Sequence, residues 1–303
     1  MRADKPFITD ENQLKMMSEN AKGKMEYTLM NDFLAKYSFQ NDLYALKGLL
    51  AALLHIKVDE ITDIIVCNPI ELKDSIDTKE CILDIKIELN NSRYVNVEIQ
   101  SVKQDFWPER SLTYLCRNFD QLKSGEIYSK IKPCVHIGIM AKDIFSKDDP
   151  RYTGDFYSEY RLLHSNKHTE YSGKFEIRVL SLSQLENASD EDKADPNGLY
   201  RWAKLFAATS WDEFIRVVKD ESNPMMSSLM GTVMMVSAEE KVKQACEARE
   251  KYLCDIATYE YEISERNGRI AELDAVIAEK EASIAEKDKL ILELRRQLEK
   301  KDK

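Results

Sequence analysis

CILDIKIELNNSRYVNVEIQ, residues 81–100, decides the fold. Two runs alternate strictly between apolar and polar residues, the period of a half-buried strand. Leu83, Ile85, Ile87 and Leu89 take one face of the first run, with Asp84, Lys86 and Glu88 on the other. In the second, Val95, Val97 and Ile99 oppose Asn96, Glu98 and Gln100. Antiparallel partners directly opposite each other point the same way, so matching apolar faces requires pairs whose numbers sum to an even value. A three-residue loop of Asn90, Asn91 and Ser92 then pairs Leu89 with Arg93 and sets Asp84 opposite Glu98. Their Cβ atoms would lie roughly 4.5–5.5 Å apart, where two anions repel unless a cation intervenes. Spacing alone leaves two readings open. Either a divalent ion bridges the carboxylates, since magnesium and manganese favour hard oxygen ligands, or the polar face is solvated and Lys86 neutralises both acids.

Outward from this hairpin, ITDIIVC (61–67) reads as a preceding strand and DLYALKGLLAALLHI (42–56) as a buried helix weakened at Gly48. A short helix is expected around Gln13 to Lys24 within a polar N-terminal segment, residues 1–24. Downstream, a helix over about 108–122 places Leu112, Leu115, Cys116, Phe119 and Leu122 on one face and Arg110, Tyr114, Arg117 and Gln121 on the other. Phe106 and Trp107 precede it, with core packing favoured over stacking on an unpaired base. PCVHIGIM (133–140) is a buried strand, completing the order α-β-β-β-α-β. FYSEYRLLH (156–164) and KFEIRVLSL (174–182) suggest a further hairpin. The breaker-rich NASDEDKADPNG (187–198) leads into short amphipathic helices, giving a domain over 25–190 and a helical extension over 191–237.

From about Ala238 the chain lacks Pro and is rich in Glu, Lys and Ala. Ile256, Ile263, Ile270, Ile277, Ile284, Ile291 and Leu298 recur every seven residues, the repeat of a left-handed supercoil. The companion column of Tyr259, Arg266, Leu273, Lys280, Lys287 and Leu294 is half cationic, which predicts a weak coiled coil joining copies of the chain.

Composition excludes several classes. Four His without a nucleophile at recognisable spacing give no support to Ser-His-Asp hydrolysis or a histidine-built metal centre. The six Cys include no C-x-x-C pair and read as reduced core residues of a cytoplasmic protein. No apolar run approaches the roughly 20 residues of a membrane span, and no secretory signal is expected. A net charge of −10 argues against bulk attraction to nucleic acid but permits a local basic patch or bound cations.

Asn31 to Trp202 resembles the recombination-promoting nuclease and putative transposase family of the PD-(D/E)XK nuclease superfamily. The resemblance is carried by NDFLAKYSF (31–39), the LDIKIE to NVEIQ hairpin, ERSLTYLCRNFDQL (109–122), GEIYSKIKPCVHIGI (125–139) and LYRW (199–202). It implies a restriction-endonuclease-like αβββαβ core in an α/β fold, and Mg2+- or Mn2+-dependent hydrolysis of DNA phosphodiesters. Asp84 and Glu98 would be metal ligands, joined by the Ile99 backbone carbonyl. Gln100 stands where most of the superfamily carries Lys, so Lys86 or Lys103 would have to supply positive charge. Asp32 matches an acidic position before the first long helix, as a helix cap or an approach to the metal. Arg110, Tyr114, Arg117 and Gln121 match the second-helix pattern in part, as phosphate ligands, braces or a solvated face. The competing expectation is a nuclease-like interaction protein that no longer cuts and oligomerises through its tail; a third is a structural coiled-coil protein.

Overall fold

The computed structural model describes residues 3–8, 10–70, 84–104, 106–195, 198–221 and 223–301. Asp10 caps α1 (Glu11–Asn20) by accepting from the Asn12 and Gln13 N–H groups, so this helix starts and ends earlier than its apolar pattern predicts. Two helices follow where one was expected, α2 (Asp32–Asn41) and α3 (Leu43–Leu54). Asn31 caps α2 by accepting from Leu34 N–H, and Asp42 caps α3 by accepting from Ala45 N–H. Asp42 is itself buried and takes hydrogen bonds from the Ser228 and Thr232 hydroxyls at 2.6 and 2.8 Å. Gly48 is less a weak point than a seat: a Cβ there would lie 2.8 Å from the Trp202 ring.

The strands are β1 (Ile64–Val66), β2 (Ile85–Leu89) and β3 (Arg93–Gln100), then, after α4 (Trp107–Phe119), β4 (Cys134–Met140), β5 (Tyr157–Arg161) and β6 (Phe175–Ser181). Residues 80–83 of the expected second strand lie outside the described residues. One six-stranded sheet runs β1-β2-β3-β4-β6-β5. Its β3/β4 and β4/β6 pairs are parallel and the other three antiparallel. The α-β-β-β-α-β order read from sequence is that of α3 through β4, and the expected further hairpin is the β5/β6 pair. Then come α5 (Asp190–Ala194), α6 (Leu199–Ala207), α7 (Trp211–Glu221), α8 (Pro224–Val236) and α9 (Glu240–Lys301).

The apolar faces of β2, β3 and β4 form one core with α2, α3, α6, α7 and α8, centred on residues such as Leu46, Leu50, Val97, Ile137, Trp202 and Leu229. The carbonyl of Leu53, in the last turn of α3, accepts from Tyr157 Oη and from Arg178 Nη1, a cation at the negative end of the helix dipole. The opposite face of the sheet lies under α4, where Trp107, Met140 and Val179 make a smaller cluster. Gly138 makes room for it, since a Cβ there would lie 2.4 Å from the Trp107 ring.

Met1–Glu250 is one compact unit that includes α6, α7, α8 and the first turns of α9; Lys251–Lys303 is a second, helical through Lys301. In that second unit Ile263, Ile270, Ile277, Ile284 and Ile291 are 48–58% exposed, so the chain alone leaves the apolar seam uncovered. Among the described residues no helix is long and apolar enough to cross a membrane. The expectation of core cysteines is corrected: Cys134 and Cys246 are buried, but Cys67, Cys116 and Cys254 are exposed, and all five are free thiols. Cys81 lies outside the described residues.

Candidate active site

Alternation along β3 turns Asn96, Glu98 and Gln100 toward α4, away from the main core. The parallel neighbour β4 sets His136 beside Asn96 and Gly138 beside Glu98. Glu98 is 3% exposed. Its Oε1 accepts from Arg110 Nε at 2.8 Å and from Gln100 Nε2 at 2.5 Å. His136 Nε2 lies 3.3 Å from its Oε2, but neither of these buried atoms completes an aligned hydrogen bond. Burial pushes the Glu98 carboxyl up; His136, Arg110 and Gln100 outweigh that and hold it below its ordinary value.

The hairpin register has the parity and loop that the sequence predicts. Leu89 pairs with Arg93 and Ile85 with Val97, with Asn90 and Asn91 at φ 52° and 48° in the turn, a conformation Asn tolerates. Continued by one residue, this ladder brings Asp84 abreast of Glu98. The start of β2 is pinned by Asn68, whose Nδ2 donates to the Asp84 carbonyl and whose Oδ1 accepts from Lys86 N–H, both at 2.9 Å. Asp84 Oδ1 is buried and has no hydrogen-bond partner among the described residues. The Gln100 carbonyl accepts from Ala141 N–H beyond the end of β4, so by alternation the Ile99 carbonyl points to the β2 side, the side of Asp84.

The second-helix residues divide. Arg110 braces Glu98, and its guanidinium also lies 5.1 Å from the Tyr114 ring centre. Tyr114 stacks on His136 with centroids 6.0 Å apart and planes 3° from parallel. Gln121 is turned to the loop before β4, donating to the Asn118 and Lys132 carbonyls and accepting from Lys132 N–H. The face expected to be buried is corrected as well. Trp107, Ser111 and Leu115 are the buried residues of α4, while Leu112 and Cys116 are exposed. The sheet surface beneath this helix carries His136, Glu98 and Asn96, so its complement is polar and aromatic. Phe106 and Trp107 part company, one 78% exposed and the other 1%.

Lys86 shares the face of Glu98 but leans the other way, its ammonium 5.7 Å from the Tyr94 ring centre. Lys103 is exposed beyond the end of β3. Asp32 follows the α2 cap and is held by Arg249 in a bidentate pair of 2.6–2.9 Å. The sequence reading passed over His136 and Asn96. The available signal was a lone imidazole in an otherwise apolar buried strand, but the strand that gives it a partner is distant in sequence.

Among the described residues no cluster of three or more His, Cys, Asp or Glu is gathered as a ready metal centre. Among the described residues two buried carboxylate oxygens have no hydrogen-bond partner, Asp84 Oδ1 and Glu98 Oε2. Such donors suit a small hard cation, which typically takes one or two carboxylates and keeps water for the rest.

The family model described as PD-(D/E)XK nuclease family transposase matches residues 29–262, which includes every residue of this cluster. No curated protein and no solved structure matches the chain.

Proposed function

Since the chain belongs to the PD-(D/E)XK nuclease family transposases, we propose that it is a divalent-metal-dependent DNA endonuclease with Asp84 and Glu98 as its metal ligands. What supports this reading is two buried carboxylate oxygens without hydrogen-bond partners among the described residues, at positions that the β2/β3 register, continued one residue past its last pair Ile85↔Val97, would set opposite each other. Burying carboxylate oxygens without hydrogen-bond partners is costly, and a hard cation offsets that cost. Asp84, Glu98 and the Ile99 carbonyl would hold Mg2+ or Mn2+. Bound there, the ion supplies Lewis-acid polarisation of a phosphodiester and acidification of water.

The chain's own residues do the rest. Gln100 has an orienting role, since it donates to Glu98 Oε1 and cannot contribute charge. Positive charge at the cluster comes instead from Arg110, whose side chain is 44% exposed, so its donors beyond Nε are accessible to a phosphate. Water attacks phosphorus directly and no covalent enzyme intermediate is required. The uncovered isoleucine column of the second unit supports self-association through the tail, which brings two active sites to one duplex.

A second reading, an interaction protein that no longer cuts, is favoured by one observation: Arg110 already compensates the Glu98 charge. Nicking of supercoiled plasmid in Mg2+ or Mn2+ separates the two. The parent should nick while Asp84→Ala and Glu98→Ala lose activity by orders of magnitude. Equal background nicking by all three proteins leaves the second reading standing.

A further inference from the structure

Among the described residues, the ring of His136 comes within ion-pair distance of the second oxygen of Glu98. His136 is fully buried, and its ring lies against Tyr114, stacked at 6.0 Å, and against Trp107, tilted by 41° with centroids 5.9 Å apart. Its Nδ1 lies 3.1 Å from Asn96 Nδ2 and its Nε2 lies 3.3 Å from Glu98 Oε2. With the Asn96 amide nitrogen turned to the ring, Nδ1 accepts and Nε2 carries the hydrogen on the side of the carboxylate, while Asn96 Oδ1 stays buried without a partner among the described residues. The opposite tautomer would aim a lone pair at a buried anion. Glu98 Oε1 accepts from Arg110 and Gln100, whereas Oε2 has no hydrogen-bond partner among the described residues, lies 3.3 Å from His136 Nε2 and keeps a lone pair to offer.

We propose that His136 is a positioning residue for the metal site: with its tautomer set by Asn96 and its plane set by Tyr114 and Trp107, it fixes the rotation of the Glu98 carboxylate so that Oε2 is presented to the cation. The inference rests on the metal-dependent reading above and adds to it residues that belong to neither ligand strand position. A residue that only filled space could be replaced by an apolar side chain of similar size; a residue that aims a carboxylate could not.

The test titrates Mn2+ alone into the full chain by calorimetry, without DNA, for the parent, His136→Leu and His136→Gln. Loss of an orienting donor behind a metal ligand costs about 10–100-fold in affinity. His136→Leu should therefore bind Mn2+ about 10–100-fold more weakly, and His136→Gln, which restores an N–H donor, should recover most of that loss. Imidazole 15N spectra of the parent should show the proton on Nε2, a readout that needs no variant to fold. Asn96→Leu, which leaves the ring in place but frees its tautomer, should weaken Mn2+ binding in the same direction. A parent that binds Mn2+ while a folded His136→Leu binds it equally well overturns the positioning role alone, as does a proton found on Nδ1. A parent that neither binds Mn2+ nor nicks plasmid overturns the metal-dependent reading and this inference with it.

Discussion

At the scale of single residues, the Glu98 carboxylate controls a measurable proton linkage. The folded chain holds its pKa below the ordinary 4.5, so near and below that pH the folded state binds fewer protons than the unfolded one. The stability it contributes is complete above pH 4.5 and is lost as pH falls through the folded pKa. Urea unfolding should show stability dropping more steeply below pH 4.5 in the parent than in Glu98→Gln, which has no proton to gain there. A pair of parallel profiles would show that the surrounding donors do not act on Glu98 in solution. The position of Glu98 was legible in the sequence because a period of two assigns each residue to a face with no knowledge of the neighbouring strands. Its partners were not. Gln100 read as standing in the place of a Lys and Arg110 as a phosphate ligand, a brace or part of a solvated face; both spend a hydrogen bond on Glu98, and His136 meets it only because β4 aligns in parallel beside β3.

Among the elements, α4 shows how hydrophobicity alone misplaces a helix. Leucine and cysteine count identified one stripe, but the helix docks on a sheet surface made of carboxylate, imidazole and amide, so the stripe that faces inward carries Trp107, Ser111, Tyr114 and Leu115. The helix behind Asp42 was legible from its Leu and Ala density, whereas α2 was not: Asn31 is an ordinary cap residue, but DFLAKYSFQN mixes aromatic and polar residues and lacks that density. Two substitutions test these packings. Gly138→Ala should cost about 1–3 kcal/mol of unfolding free energy, the usual penalty of overpacking, because the new methyl meets the rigid Trp107 ring. Measured in a Trp107→Leu background, the same change should cost clearly less; an unchanged penalty would locate the clash elsewhere. Arg249→Ala leaves Asp32, 6% exposed, without its bidentate partner and should lower stability by about 1–3 kcal/mol. Plasmid nicking by that variant at a permissive temperature should match the parent, as expected of an acid that ties α2 to the first turns of α9 rather than serving a cation.

For the molecule as a whole, a formal charge of −10 and a seam of exposed isoleucines pull on the same activity. Under the proposed nuclease function an acidic protein would meet DNA through local cations, so its binding should weaken steeply with added salt, and self-association would double the phosphate contacts available to one duplex. The seam sets the limit on that association. Ile263, Ile270, Ile277, Ile284 and Ile291 supply one apolar column, but Arg266, Lys280 and Lys287 interrupt its companion, and a charge inside a helix interface favours particular pairings at a cost in stability. The two columns therefore predict opposite responses. Ile270→Glu with Ile277→Glu in the full chain should shift sedimentation toward monomer and convert plasmid linearisation into single-strand nicking, with the nicking rate itself retained. Lys280→Leu with Lys287→Leu should tighten self-association and raise the linear product relative to the nicked one at the same protein concentration. If both double variants sediment and cut as the parent does, the isoleucine column is not the contact that joins two active sites, and paired cleavage must be sought in the first unit.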